Sequence, residues 1–197
     1  MLILSSRTVP MEAMVFEWAL AERKRLVDSR WIDQSLADRS EAVAGLSHHD
    51  GQALVDAICR HRGGFFGIFV ANPTNWLEAS CPVESVGRLH LCKYFEGTHQ
   101  VNGVPSYFRT IEELAEGDPS FRLTQPFVWS AMRGRPVLVS YGPAGPWVVM
   151  EGTHRLVEVY HAAKARRTEK PAVDVIAGIS PLARRWNAWR DPAPGAL

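Results

Sequence analysis

The chain has 197 residues, with 22 Lys and Arg against 21 Asp and Glu, for a formal net charge of +1. Hydrophobic residues at 46% and charged residues at 22% are the balance of an ordinary globular protein and exclude a disordered, collagen-like or coiled-coil chain. Near-neutral charge also argues against a broad basic surface for wrapping nucleic acid, and the length suits one domain or one domain with a substantial extension.

After a short apolar start, Thr8 and Pro10 announce a helix, with Thr8 as its cap and the proline early in the first turn. Met11, Met14, Val15 and Trp18 then share one helical face. Residues 31–46 are partly helical. Ser47-His48-His49-Asp50 reads as a capping box, opening a helix that carries Leu54, Val55 and Ile58 inward and stops at Gly63-Gly64. The run Phe65–Val70, aromatic and β-branched between glycines and Asn72-Pro73, predicts a buried strand.

Residues 88–95 alternate polar and apolar as a half-wet strand would, and residues 96–107, rich in Gly and Asn, predict a loop. Short helical segments are expected over Ile111–Glu116 and Thr124–Gly134. The final third is clearer: a strand over Pro136–Tyr141, a Gly/Pro turn, a strand over Trp147–Met150, a helix from about Thr153 to Arg166, and a strand over Pro171–Ile176. That helix is expected to bury Leu156, Val157, Tyr160 and Ala163. The tail brings Arg184, Arg185, Trp186, Trp189 and Arg190 together before a proline-rich end. Cations mixed with aromatics suit single-stranded nucleic acid, but two tryptophans three apart dock more simply, side by side, on the protein body.

Three cysteines, Cys59, Cys81 and Cys92, form no Cys-x-x-Cys pair and read as reduced thiols in or near a core. The N-terminus lacks a basic region ahead of an apolar run, and no stretch reaches the ~18 apolar residues of a membrane span. These features predict a cytoplasmic protein with no membrane partner.

The chemistry concentrates in Glu151-Gly152-Thr153-His154-Arg155, where a strand gives way to a helix through a glycine. A helix start offers unpaired N–H groups and the positive end of the helix dipole to an anion. Gly152 lets backbone approach that anion, Thr153 donates a hydroxyl, and Arg155 can grip two oxygens at once. Glu151 is placed to orient His154, accept a hydroxyl proton or serve a metal ion. The bias to 18 Arg over 4 Lys suits anion recognition by forked donors. Two blander readings stand beside this. The turn can be a capped helix start with a surface ion pair. His154, Glu158 and His161, spaced i, i+4, i+7, can form a metal face but more simply form a solvated one.

Glu-Gly-Thr-His-Arg-Leu, set after Pro-Val-Leu-Val and a strand and before an alanine-containing helix and a Pro-x-Val-x-Val strand, resembles the ParB/sulfiredoxin superfamily over residues 88–180. The resemblance implies an α+β fold, a small mixed sheet with helices, over residues 86–180. A mainly helical N-terminal extension (1–85) would precede it and a basic, aromatic, then proline-rich tail (181–197) would follow. It further implies phosphate binding by Gly152, Thr153, His154 and Arg155. Thr153 stands where sulfiredoxins carry their catalytic cysteine, so sulfinic-acid repair is not implied. Thr-His-Arg after the glycine and the short tail also differ from chromosome-partitioning relatives. The acidic-Gly-x-His-Arg element is similar to that of free-serine kinases. By that likeness the protein is a nucleotide-dependent phosphotransferase using ATP or ADP with Mg2+ on a small-molecule hydroxyl. Glu151, His154 and Glu96 are then catalytic candidates, with Glu112 and Glu113 as further carboxylates. A non-enzymatic nucleotide sensor, associated with DNA or a protein partner, and a ParB-like nuclease are the alternative expectations.

Overall fold

A computed structural model describes residues 2–40, 46–101, 104–122, 129, 134–167, 170–189 and 191, with the side chains of 6, 70, 95–101 and 104–106 left outside the description. Among the described residues, eight strands and five α-helices follow in chain order: β1 (Ile3–Thr8), α1 (Met11–Asp28), α2 (Gln34–Arg39), α3 (His48–Ala71), β2 (Asn75–Pro82), β3 (His90–Leu91), β4 (Glu96–Val101), β5 (Val104–Tyr107), α4 (Ile111–Gly117), β6 (Val137–Ser140), β7 (Val148–Glu151), α5 (Thr153–Lys164) and β8 (Ala172–Ile179). Six strands form one mixed sheet in the order β1-β2-β8-β6-β7-β3, and β4 and β5 form a separate hairpin. The α+β class expected from sequence is therefore present.

The sheet joins the two ends of the chain. β2 runs antiparallel to β8 from Asn75↔Ile179 to Pro82↔Ala172, while β8 runs parallel to β6. The stretch 1–85 thus supplies β1 and β2 to the sheet that carries β6, β7 and β8, besides three helices. β2 alternates between faces. On one face Trp76 meets Phe69 of α3, and Glu78 reaches Arg135, which holds Glu17 of α1. Leu77, Ala79 and Cys81 lie on the other face and are buried as well. All four residues of β6 are buried, as in a strand covered on both sides.

Several local expectations are corrected. Phe65–Val70 is the last part of α3, which runs through Gly63 and Gly64 to Ala71. Glycines in a helix cost about 1 kcal/mol each, but fully burying Phe66 and Phe69 contributes about 1.5–3 kcal/mol apiece. Phe65 and Phe66 pack on Trp18 of α1, and burial outweighs propensity until Pro73 ends the helix. Thr8 closes β1, leaving Pro10 as an N-cap with no side-chain hydrogen bond. The expected strand over 88–95 shrinks to His90–Leu91 between two 3-10 turns. The expected loop over 96–107 is the β4–β5 hairpin, and Asn102-Gly103 between its strands is a strong hairpin signal in the sequence. On α5 the buried residues are Leu156, Val157, Val159 and Ala162, while Tyr160 turns its hydroxyl to Glu112 and Glu116. The helix expected over Thr124–Gly134 lies outside the described residues except Trp129 and Gly134.

Other expectations hold. Ser47 accepts the Asp50 N–H at 3.1 Å as the cap of α3, and the Asp50 carboxylate turns to Arg39. Cys81 and Cys92 are buried, though Cys59 is exposed. Trp186 and Trp189 are both buried, with Trp186 packed on Phe65 and Phe69. Among the described residues no helix is long and apolar enough to cross a membrane.

Gly178 of β8 sits opposite Trp76 of β2, and a methyl group there would collide with the buried indole. Gly178→Ala is expected to destabilise the fold by about 1–3 kcal/mol. Adding Trp76→Leu should make the combined loss smaller than the sum of the single losses, measured by urea denaturation.

Candidate functional site

The pairing of β6 with β7 sets Glu151 opposite Val137, and the chain turns into α5 at the next residue. Gly152 makes this turn at φ +95°, a left-handed conformation that suits glycine. Its Cα is also crowded: a Cβ would lie 2.9 Å from Arg155 Nη2 and 2.9 Å from Pro136 Cβ. The Gly152 carbonyl accepts the Leu156 N–H at 3.0 Å, and as a glycine the N-cap of α5 supplies no side-chain cap of its own. The structure therefore gathers Glu151, Gly152, Thr153, His154 and Arg155 at one strand–turn–helix junction.

Arg155 is turned inward. Its Nη2 donates to Glu151 Oε2 across one helical turn, and its Nη1 donates to the Gly134 carbonyl. The two side chains are only 12% and 14% exposed, so this is a buried pair rather than a surface one. Burial pushes the Glu151 carboxyl above its usual range, with Arg155 opposing the rise and the nearby charge of Glu22 adding to it. The fork that sequence reasoning assigned to a phosphate is thus already engaged with a carboxylate and a carbonyl.

His154 is exposed at the same helix start and stacks on Phe121, with ring centroids 4.7 Å apart and planes 26° from parallel. His161 contacts the Phe121 carbonyl through Nε2 at 3.1 Å. Glu158 is half-buried, and that burial raises its carboxyl above the usual range. Both histidines of the i, i+4, i+7 face are thus applied to Phe121. Among the described residues no group of three or more His, Cys, Asp or Glu side chains could hold a metal ion.

Glu96 opens β4 in the separate hairpin, opposite Tyr107, and its side chain lies outside the description. Glu112 accepts from the Tyr160 hydroxyl at 3.0 Å. Glu113 accepts the Arg109 N–H at 2.6 Å, while its own N–H is capped by Thr110.

Sequence reasoning missed the ionic groups behind the turn. Arg135 donates to Glu17 at 2.9 Å and to Glu78 at 3.2 Å, which fixes the segment beside Gly134 against α1. Glu22, further along α1, accepts from Arg62 of α3 at 3.0 Å and from the Trp18 indole at 3.3 Å. His61 Nε2 is buried without a hydrogen bond, 3.7 Å from Glu22; burial lowers the His61 pKa below its usual value, and the neighbouring Arg62 adds to the effect. The available signal was the arginine bias itself. Arg62, Arg135 and Arg155 spend their forks on internal carboxylates.

Compared with models of known families, with curated proteins and with solved structures, the chain has no significant match.

The raised Glu151 carboxyl links pH to stability. The folded chain holds this proton more tightly than the unfolded chain, so stability falls as pH rises from the ordinary value of 4.5 through the raised one. Glu151→Gln is expected to flatten that part of the profile, read as urea midpoints between about pH 4 and pH 8.

Proposed function

We propose that the turn at Gly152–His154 binds the phosphate of a nucleotide, and that the protein transfers a phosphoryl group from that nucleotide to the hydroxyl of a small molecule. The observation that carries this reading is the start of α5: a left-handed glycine with no side-chain cap, followed by a hydroxyl and an exposed imidazole. A 12-residue helix presents its positive end there. The sequence resemblance to the ParB/sulfiredoxin superfamily supports the same reading, and with it a ParB/sulfiredoxin-like arrangement of the residues after 86.

The donor set fits a phosphate. Thr153 supplies a hydroxyl and His154 an imidazole nitrogen, and the helix dipole supplies charge stabilisation. The described carboxylates are not assembled for Mg2+, so the ion would arrive on the phosphates of ATP or ADP. The nucleotide would contribute the phosphoryl group. His154, exposed and oriented by Phe121, is the group on the turn best placed to take a proton from the acceptor hydroxyl. Glu151 holds Arg155 and so serves the shape of the turn.

A second reading, nucleotide sensing without turnover, is favoured by Arg155. An entering phosphate competes with Glu151 for its guanidinium, and loss of the Gly134 contact would be felt by α1 through Arg135 and Glu17.

Calorimetric titration of ATP, ADP and CTP tests the shared premise. At least one is expected to bind, and Thr153→Ala/His154→Ala should weaken it about tenfold, worth ~1.4 kcal/mol. Absence of binding to all three overturns both readings. Phosphate transfer to a panel of hydroxyl compounds selects the enzyme, and binding without turnover selects the sensor.

A further inference from the structure

A recess lies away from the Glu151 turn, three strand positions across the sheet, where β1 meets α1 and α3 meets β2. It is an open recess of about 440 Å³, within the ~300–1,000 Å³ range of small-molecule sites. Among the described residues that line it there is no Asp, Glu, Lys, Arg or His. A charged ligand would meet no countercharge among these residues, so the recess suits a neutral one.

Its walls differ in chemistry. Val9, Pro10 and Met11 form an apolar side. The other side carries Asn72, Thr74 and Asn75, with Thr8 at the rim. Asn72 Nδ2 donates to the Ile68 carbonyl at 2.8 Å, and the Thr74 hydroxyl lies 3.3 Å from the Phe69 carbonyl. These bonds hold the end of α3 and leave Asn72 Oδ1 and the Thr74 lone pairs as fixed acceptors. Asn75 is exposed and carries both a donor and an acceptor. Trp76 and Phe69 also line the recess but are only 3% and 2% exposed, so neither offers an open ring face and a ligand would lie against Val9, Pro10 and Met11.

An apolar wall facing a carboxamide with adjacent acceptors matches a flat, neutral ring whose edge pairs a donor with an acceptor. We infer that this recess binds a purine base of the adenine type, free or as its nucleoside, with the Asn75 carboxamide pairing its amino and ring-nitrogen edge, as asparagine does when it reads adenine. The site is separate from the proposed phosphate turn and does not depend on it.

The test is ligand-observed NMR with adenine, adenosine, inosine and a neutral disaccharide on the wild-type chain, Asn75→Leu and Arg155→Ala. Adenine and adenosine should bind the wild type. Asn75→Leu, at an exposed position, should keep its melting temperature and weaken binding roughly tenfold, the discrimination of one good bidentate pair. Inosine, which replaces the amino donor with an acceptor, should bind more weakly than adenosine, and Arg155→Ala should leave adenosine binding unchanged. No binding of adenine or adenosine at millimolar concentration overturns the inference. So does binding that Asn75→Leu leaves intact, binding lost with Arg155→Ala in a folded protein, or preference for the disaccharide.

Discussion

A carboxylate placed at the end of a buried strand must find a counter-charge, and the surroundings of Glu151 follow from that requirement. Desolvation alone would favour its protonated form. Arg155, one helical turn later, supplies the charge, and its second nitrogen finds the Gly134 carbonyl. Three backbone positions are then constrained together. Gly152 must turn left-handed with no side chain, Gly134 must press against α1, and Pro136 must lie over the turn. Arg135 repeats the device one residue further on, with Glu17 and Glu78 as partners.

These pairs give the space between α1 and the sheet an unusual character. Trp18, Met14 and Val15 bury the apolar side of α1, yet Glu17 and Glu22 on the same helix are drawn inward by arginines from other elements. Buried ion pairs add little net stability over a well-packed apolar contact, but removing one partner is costly. Their physical effect is to favour one relative placement of α1, α3 and the segment beside Gly134. The proposed phosphate turn is therefore tied down on its inner side by ion pairs, with the His154 ring exposed on the other.

What the sequence made legible is local and nearly periodic. β6, β7, α5 and β8 could be placed because glycine, proline and β-branched residues mark their limits. The Ser47 cap was readable because a hydroxyl three residues ahead of an N–H has few other uses. The turn at Gly152 was readable because a glycine separates a β-branched run from a helical one. The rest depends on partners distant in the chain. Phe65–Val70 has a strand-like composition, but Trp18 and Trp186 offer it a helical burial site. β2 was not recognised because Ala79 and Cys81 are too small to announce a buried face. The inward course of Arg155 could not be read from spacing, since an i, i+4 pair with Glu151 looks identical on an exposed helix.

The position of β2 bears on how the protein is made. Asn75 pairs with Ile179, about a hundred residues later, a separation that slows folding because loop closure precedes the reward of contact. On the ribosome, α1 and α3 emerge long before β8 can cover the neighbouring edge of β2. The nascent chain must therefore carry the apolar faces around Trp18, Phe66 and Trp76 with an unpaired strand edge beside them. Such a species attracts chaperones or aggregates. A fold that closes its sheet last is most vulnerable during its own synthesis.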